Sequence, residues 1–264
     1  MERKNTWHSY TEEDIEKLES LASDYKEYLT GGKTERECVK ESVKLAQRAG
    51  YEDLEHFIAE NKQLKPGDKV YRTWMDKTIV LFQIGEKPME DGLNILGAHI
   101  DSPRMDLKQN PLYEDTEMVL LDTHYYGGVK KYQWVTLPLA LHGVVIKKDG
   151  TTIEISIGEK DTDPVVGVTD LLIHLSAQQL EKKAKVVIEG EDLNVLIGSR
   201  PVKGEEKDAV KKEMLRILEQ EYGIEEEDFL SAEIEVVPAG PARDFGLDRS
   251  MIMSYGQDDR VCAY

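Results

Sequence analysis

Apolar positions in the first fifty residues recur with helical spacing. Ile15, Leu18, Ala22, Tyr25 and Leu29 follow one another at intervals of three and four, which places them on one helix face. Thr11 precedes Glu12, Glu13 and Asp14, a hydroxyl for the orphan N–H groups and acids against the positive end of the helix. Gly31-Gly32 is expected to end this helix through a left-handed residue. Thr34-Glu35-Arg36-Glu37 repeats the start signal, and Val39, Val43 and Ala46 carry a second helix to Gly50. Lys69–Trp74 and Thr78–Ile84, divided by Met75-Asp76-Lys77, predict a hairpin. Leu93–Ala98 is predicted as a buried strand that runs into His99-Ile100-Asp101-Ser102-Pro103. The proline keeps its predecessor out of the α region, so a loop is expected there.

Beyond Lys108 the texture changes to short β-rich runs. Met118–Thr123, Thr136–Lys147, Thr152–Ile157, Lys185–Glu189 and Val195–Ser199 are predicted strands, and Ser231–Val237 is the last. One amphipathic helix, Glu205–Tyr222, interrupts them with Val210, Met214, Ile217 and Leu218 on a face and Gly223 as its stop. A β-rich block between two differently patterned regions implies an inserted domain. The expected division is 1–107, an N-terminal α/β part; 108–240, an inserted β-rich domain with a helix; and 241–264, a return to the first domain.

Composition narrows the functional classes. Two domains suit 264 residues. With 40% hydrophobic and 33% charged residues the chain has enough apolar material for a core. The net charge of −18 argues against nucleic-acid or anionic-membrane partners, which select a basic face. Two cysteines, Cys38 and Cys262, supply neither a disulfide framework nor a cysteine-rich zinc ribbon. No apolar run long enough for a signal peptide or membrane span occurs, so a cytoplasmic location is expected.

Two local patterns bear chemistry. His99-x-Asp101 at a strand end puts both side chains on one side of the backbone. There an imidazole can bind metal while the carboxylate fixes its tautomer. By itself the pattern is more often a strand-end histidine bonded to a loop carbonyl. Asp258-Asp259 after Gly256-Gln257 places two like charges together, relieved either by a cation or by capping the helix that follows; spacing alone favours capping. The other histidines lack such a setting. His174 lies in the apolar run Leu171–Leu175, where a core histidine is the default. His124 and His142 fall in β-rich stretches without a partner pattern, and His8 and His56 read as helix or surface residues. Gly127-Gly128 marks a special turn. The absence of GxxxxGK[ST], HExxH, GxSxG and CxxC removes the entry signals for NTPase, gluzincin, serine-hydrolase and thiol-redox chemistry.

Taken in order, four segments resemble one family. Gly97-Ala98-His99-Ile100-Asp101-Ser102-Pro103 resembles the A-H-x-D-S-P signature of the M18 aminopeptidases, the aspartyl-aminopeptidase and aminopeptidase I family. Thr123–Gly128 is similar to its T-Y-G-G segment, Leu171–Leu175 to its H-L-A-I-H-L segment, and Gln257–Tyr264 to its L-D-D-R step. The resemblance implies a zinc-exopeptidase-like α/β catalytic domain interrupted by an inserted domain used for homo-oligomer assembly. It also implies hydrolysis of N-terminal residues, acidic or neutral, from peptide substrates at a site holding two Zn2+ ions. On that resemblance His99 and Asp258 are metal ligands, Asp101 orients His99, Asp259 stands behind the ligands, and His174 reaches a neighbouring subunit's site to help catalysis.

Family members are longer, and their remaining ligands and glutamate base lie beyond the Asp-Asp step. The resemblance therefore implies an incomplete catalytic domain in these 264 residues, weak metal binding and no peptidase activity by this chain alone. The different readings are a non-catalytic assembly subunit that keeps the inserted domain, and an acidic α/β binding protein in which H-x-D is structural.

Overall fold

The computed structural model describes residues 3–264. The chain forms two compact units, Met1–Asp101 with Pro241–Tyr264, and Ser102–Gly240. It is an α/β protein.

The first unit starts with two capped helices, α1 (Glu12–Gly31) and α2 (Glu35–Arg48). Both starts are reciprocal capping boxes. The Thr11 hydroxyl accepts from the Asp14 N–H and the Asp14 carboxylate accepts from the Thr11 N–H; Thr34 and Glu37 do the same for α2. The turn between the helices is not the left-handed stop that its glycines predict, since Gly32 has φ −111°. Space is what these glycines supply. A Cβ on Gly31 would meet the Glu41 carboxyl at 2.8 Å, and one on Gly32 would meet the Cys38 sulfur and the Tyr28 carbonyl at 3.0 Å. Tyr28, Leu29, Cys38 and Val39 are buried where the two helices pack. Burial pushes the Cys38 thiol up to about 11, so it packs as a small apolar group and is no nucleophile.

Strand β1 (Glu52–Asp53) and the short helix α3 (Leu54–Ala59) follow. The hairpin β2 (Lys69–Trp74) and β3 (Thr78–Gln83) forms as predicted, with Lys69 opposite Gln83 and Trp74 opposite Thr78. The predicted strand Leu93–Ala98 does not form. Residues 92–103 carry no regular structure, and Ile95 and Leu96 are 82% and 100% exposed. A buried strand needs neighbours for its backbone groups, and no strand among the described residues pairs with this run.

The second unit is built on an antiparallel sheet. Its strands are β4 (Arg104–Asp115), β5 (Met118–Tyr126), β6 (Leu139–Ile146) and β7 (Thr152–Ile157). After the one-turn helix α4 (Ala177–Leu180) come β8 (Val195–Gly198), α5 (Ala209–Tyr222) and β9 (Ala232–Pro238). The strand order is β7-β6-β9-β4-β5-β8. Strand β4 begins directly after Pro103, where a loop was expected. Its Pro111 is tolerated because the β4–β5 register is irregular between Leu107 and Leu112, and β9 pairs only with Met105 and Asp106. Met105, Val119, Leu139, Val145, Val195, Val236 and Val237 form the core of this unit. The predicted strand Lys185–Glu189 is turn instead, with residues 183–187 mostly exposed. Its apolar residues are too few and unpaired to hold an edge.

The first unit resumes with the hairpin β10 (Arg243–Phe245) and β11 (Met251–Met253), which the sequence pattern did not disclose, and ends in helix α6 (Gln257–Ala263).

Gly143 fixes the sheet centre. It sits in β6 at φ +152° opposite Ile234, and a Cβ there would fall 1.9 Å from the Glu233 carbonyl oxygen. Gly143→Ala is expected to destabilise the second unit by at least about 2 kcal/mol, because rigid backbone must move in the middle of a sheet. Urea unfolding followed by circular dichroism measures this, and an unchanged midpoint would refute the steric account.

Candidate metal centre

The loop after residue 98 and the start of α6 bring His99, Asp258 and Asp259 together, with ligand atoms all within 4.8 Å of one another. Gly256 has φ +76°, the left-handed conformation from which the chain turns into α6. Asp258 and Asp259 themselves lack helical dihedrals, so neither aspartate simply caps a regular first turn. The Asp258–Asp259 peptide bond is cis.

The His99 ring is held from both sides. Its Nδ1–H donates to the Asp101 carboxylate at 2.8 Å and lies 3.2 Å from the Asp101 carbonyl. Its Nε2 lies 3.2 Å from Asp259 Oδ2. The hydrogen bond to Asp101 is the main reason that the imidazole pKa lies above its ordinary value, and the charges of Asp101 and Asp259 add to it. In the metal-free protein the proton therefore stays on His99 to higher pH than on a free histidine. A cation must displace the Nε2 proton, so metal binding strengthens as pH rises through the His99 pKa.

The donor set fits a divalent cation. One imidazole nitrogen with carboxylate oxygens is a zinc-type set, and a carboxylate behind the opposite ring nitrogen is the usual orienting partner of a metal-bound histidine. The described residues contain one such cluster, with three donors. That is a site for one ion, and the two ions expected from the sequence are not provided for by these residues. Asp259, expected behind the ligands, is itself one of the three. No glutamate belongs to the cluster among the described residues.

His174 lies in the second unit. It is exposed in a turn before α4, against the expectation of a core histidine, and lines a cavity of about 700 Å³ with Asp170, Gln179 and Lys182. Leu171, Leu172, Ile173 and Leu175 around it are exposed as well. His142 has a partner that its sequence context did not reveal. It is 3% exposed and its Nε2 lies 3.0 Å from Glu159 Oε1, whose second oxygen accepts from the Gly240 N–H. This joins chain segments and needs no ligand. His124 stacks on Tyr125 at 5.8 Å, and His56 faces Glu60 at 3.2 Å on the surface.

Fold and cluster together define an α/β protein with a candidate metal-binding centre. The family model for the aminopeptidase I zinc metalloproteases (M18) matches residues 28–264, and the chain belongs to that family. A probable M18 family aminopeptidase 1 of Clostridium acetobutylicum is 58% identical over 264 residues, covering 100% of this chain and 57% of that protein. The crystal structure of an M18-family aminopeptidase from Thermotoga maritima superposes with a TM-score of 0.90 at 47% identity, covering 100% of this chain and 56% of that one. At 17% identity and a TM-score of 0.65, the S. cerevisiae protein described as an mApe1 dodecamer shares the fold over 94% of this chain and 54% of its own. The chain thus spans little more than half the length of these relatives. No helix among the described residues is long and apolar enough to cross a membrane.

Asp101→Asn removes the charge that holds the proton on His99, so the His99 midpoint should move down toward the ordinary histidine value. Proton NMR titration of the His99 ring in the metal-free protein measures it. A midpoint unmoved by the substitution would show that Asp101 does not control the ring.

Proposed function

We propose that these residues form the metal-binding part of a zinc-dependent aminopeptidase that removes acidic or neutral N-terminal residues from peptides. The observation that carries this reading is the His99, Asp258 and Asp259 cluster with Asp101 behind the imidazole, in a chain of the M18 family. A zinc ion, if held here by His99, Asp258 and Asp259, would supply Lewis-acid activation of the scissile carbonyl. The chain's own groups have separable tasks. His99 offers Nε2, Asp101 keeps the other ring nitrogen protonated, and Asp258 and Asp259 balance the cation's charge. His174 acts in a homo-oligomer assembled through the second unit, where it helps to hold substrate at a neighbouring copy's centre. A cytoplasmic location and the lack of nucleic-acid or membrane partners accord with the −18 charge.

One observation favours a second reading for the 264 residues taken alone. Among the described residues the single three-donor cluster includes no glutamate to carry a proton from water to the leaving amine. In that form the chain binds a cation weakly and serves assembly rather than turnover.

Equilibrium dialysis against zinc is expected to give one ion per chain, lost in His99→Ala, with no release of chromophore from aspartyl or leucyl nitroanilides. Two tightly held ions with turnover would contradict the single-ion reading, and unchanged binding in His99→Ala would remove the site altogether.

A further inference from the structure

Arg260 directly follows Asp259 and is the largest side chain fully buried among the described residues. Among the described residues its guanidinium meets no carboxylate. Nε donates to the Ile100 carbonyl at 3.1 Å and Nη2 to the Lys33 carbonyl at 2.8 Å, while the group lies over the Tyr255 ring at 5.4 Å. Nη1 is buried without a hydrogen-bond partner among the described residues. Burying a guanidinium without a counter-ion is costly, so its position calls for a reason beyond filling space.

The acceptors supply that reason. Ile100 stands between His99 and Asp101, and Arg260 adjoins the Asp258-Asp259 pair, 160 residues away in sequence. One side chain thus ties the loop that carries the imidazole to the helix that carries the aspartates, and both to the turn between α1 and α2. A tie is needed, because carboxylates gathered around one site repel one another until a cation arrives. Glycine at 256 makes room for it: a Cβ there would lie 2.1 Å from Nη1. Lysine could not replace the group, since an ammonium is a point donor and cannot span two carbonyls with a planar fork.

Resting on the metal-site reading above, we propose that Arg260 is the positioning residue of the centre, holding His99 and the two aspartates in binding geometry through the Ile100 and Lys33 carbonyls. The sign of its effect separates this from electrostatics. A nearby positive charge opposes a bound cation, so removing it would tighten metal binding if charge were all that mattered. Loss of the tie must weaken it.

The test is Co2+ titration of the full 264-residue chain, read by visible absorption, beside the metal-free unfolding midpoint of each variant. Arg260→Met and Arg260→Lys are expected to lose about tenfold to a hundredfold in Co2+ affinity and to shift the absorption bands. Val39→Ala, which opens a cavity under the buried face of α2, should lose stability and keep wild-type affinity. If Arg260→Met does not fold, Arg260→Gln, which keeps a planar donor and loses the second bond, is read in its place, and the same loss is expected. Affinity unchanged or raised in the Arg260→Met protein (or, where that does not fold, in Arg260→Gln), or reduced equally in Val39→Ala, would overturn the positioning role while leaving the metal site standing. A wild-type chain that binds no Co2+ would overturn the metal-site reading and this inference with it.

Discussion

Three carboxylates share one imidazole in this protein, and the first unit must hold them there. Asp101 and Asp259 face opposite nitrogens of His99, and Asp258 completes the cluster. Such a grouping is unstable without a positive charge: a proton on His99 in the metal-free state, or a cation in its place. A proton and a cation would compete for the same ring nitrogen, and the raised His99 pKa, set by Asp101 and Asp259, favours the proton in the metal-free protein.

The surrounding structure can be understood as what keeps the cluster assembled. The capped helices α1 and α2 form a tight corner whose Lys33 carbonyl is offered to Arg260. Aromatic packing of Tyr264 against Tyr25 at 5.1 Å and Tyr28 at 5.4 Å seats the far end of α6 on α1. These contacts come from a region with ordinary helical sequence signals. Helix caps and a glycine pair that permits close packing thus bear on the geometry of a candidate metal centre distant in sequence.

Much of this was legible in local pattern. Thr11 and Thr34 announced the helix starts because capping is settled within four residues, and the hairpin at 69–83 followed from alternation around a short turn. His99-x-Asp101 and Asp258-Asp259 stood out as patterns that a cation would suit, but spacing alone favoured structural readings, and it was the resemblance to the M18 family that singled out His99, Asp101 and Asp258. What escaped depends on tertiary partners. Arg260 reads as a surface residue until its carbonyl acceptors are known, and His142 has no local clue to Glu159, which adjoins the partner strand β7. Leu93–Ala98 had a strand's composition and lacked only neighbours. The place of Asp259 beside His99 depends on the non-helical backbone at the start of α6, which composition does not encode.

What surrounds a bound ion decides whether these three residues form the centre. Zinc K-edge absorption spectroscopy of the zinc-loaded chain shows this directly. A single imidazole with oxygen neighbours, no sulfur and no second metal is the predicted environment, from His99, Asp258 and Asp259. A sulfur neighbour would point to Cys262, and several imidazoles or a metal–metal distance near about 3.5 Å would mean that the ion is held elsewhere or in company. Any of these would contradict a one-ion centre built on these three residues.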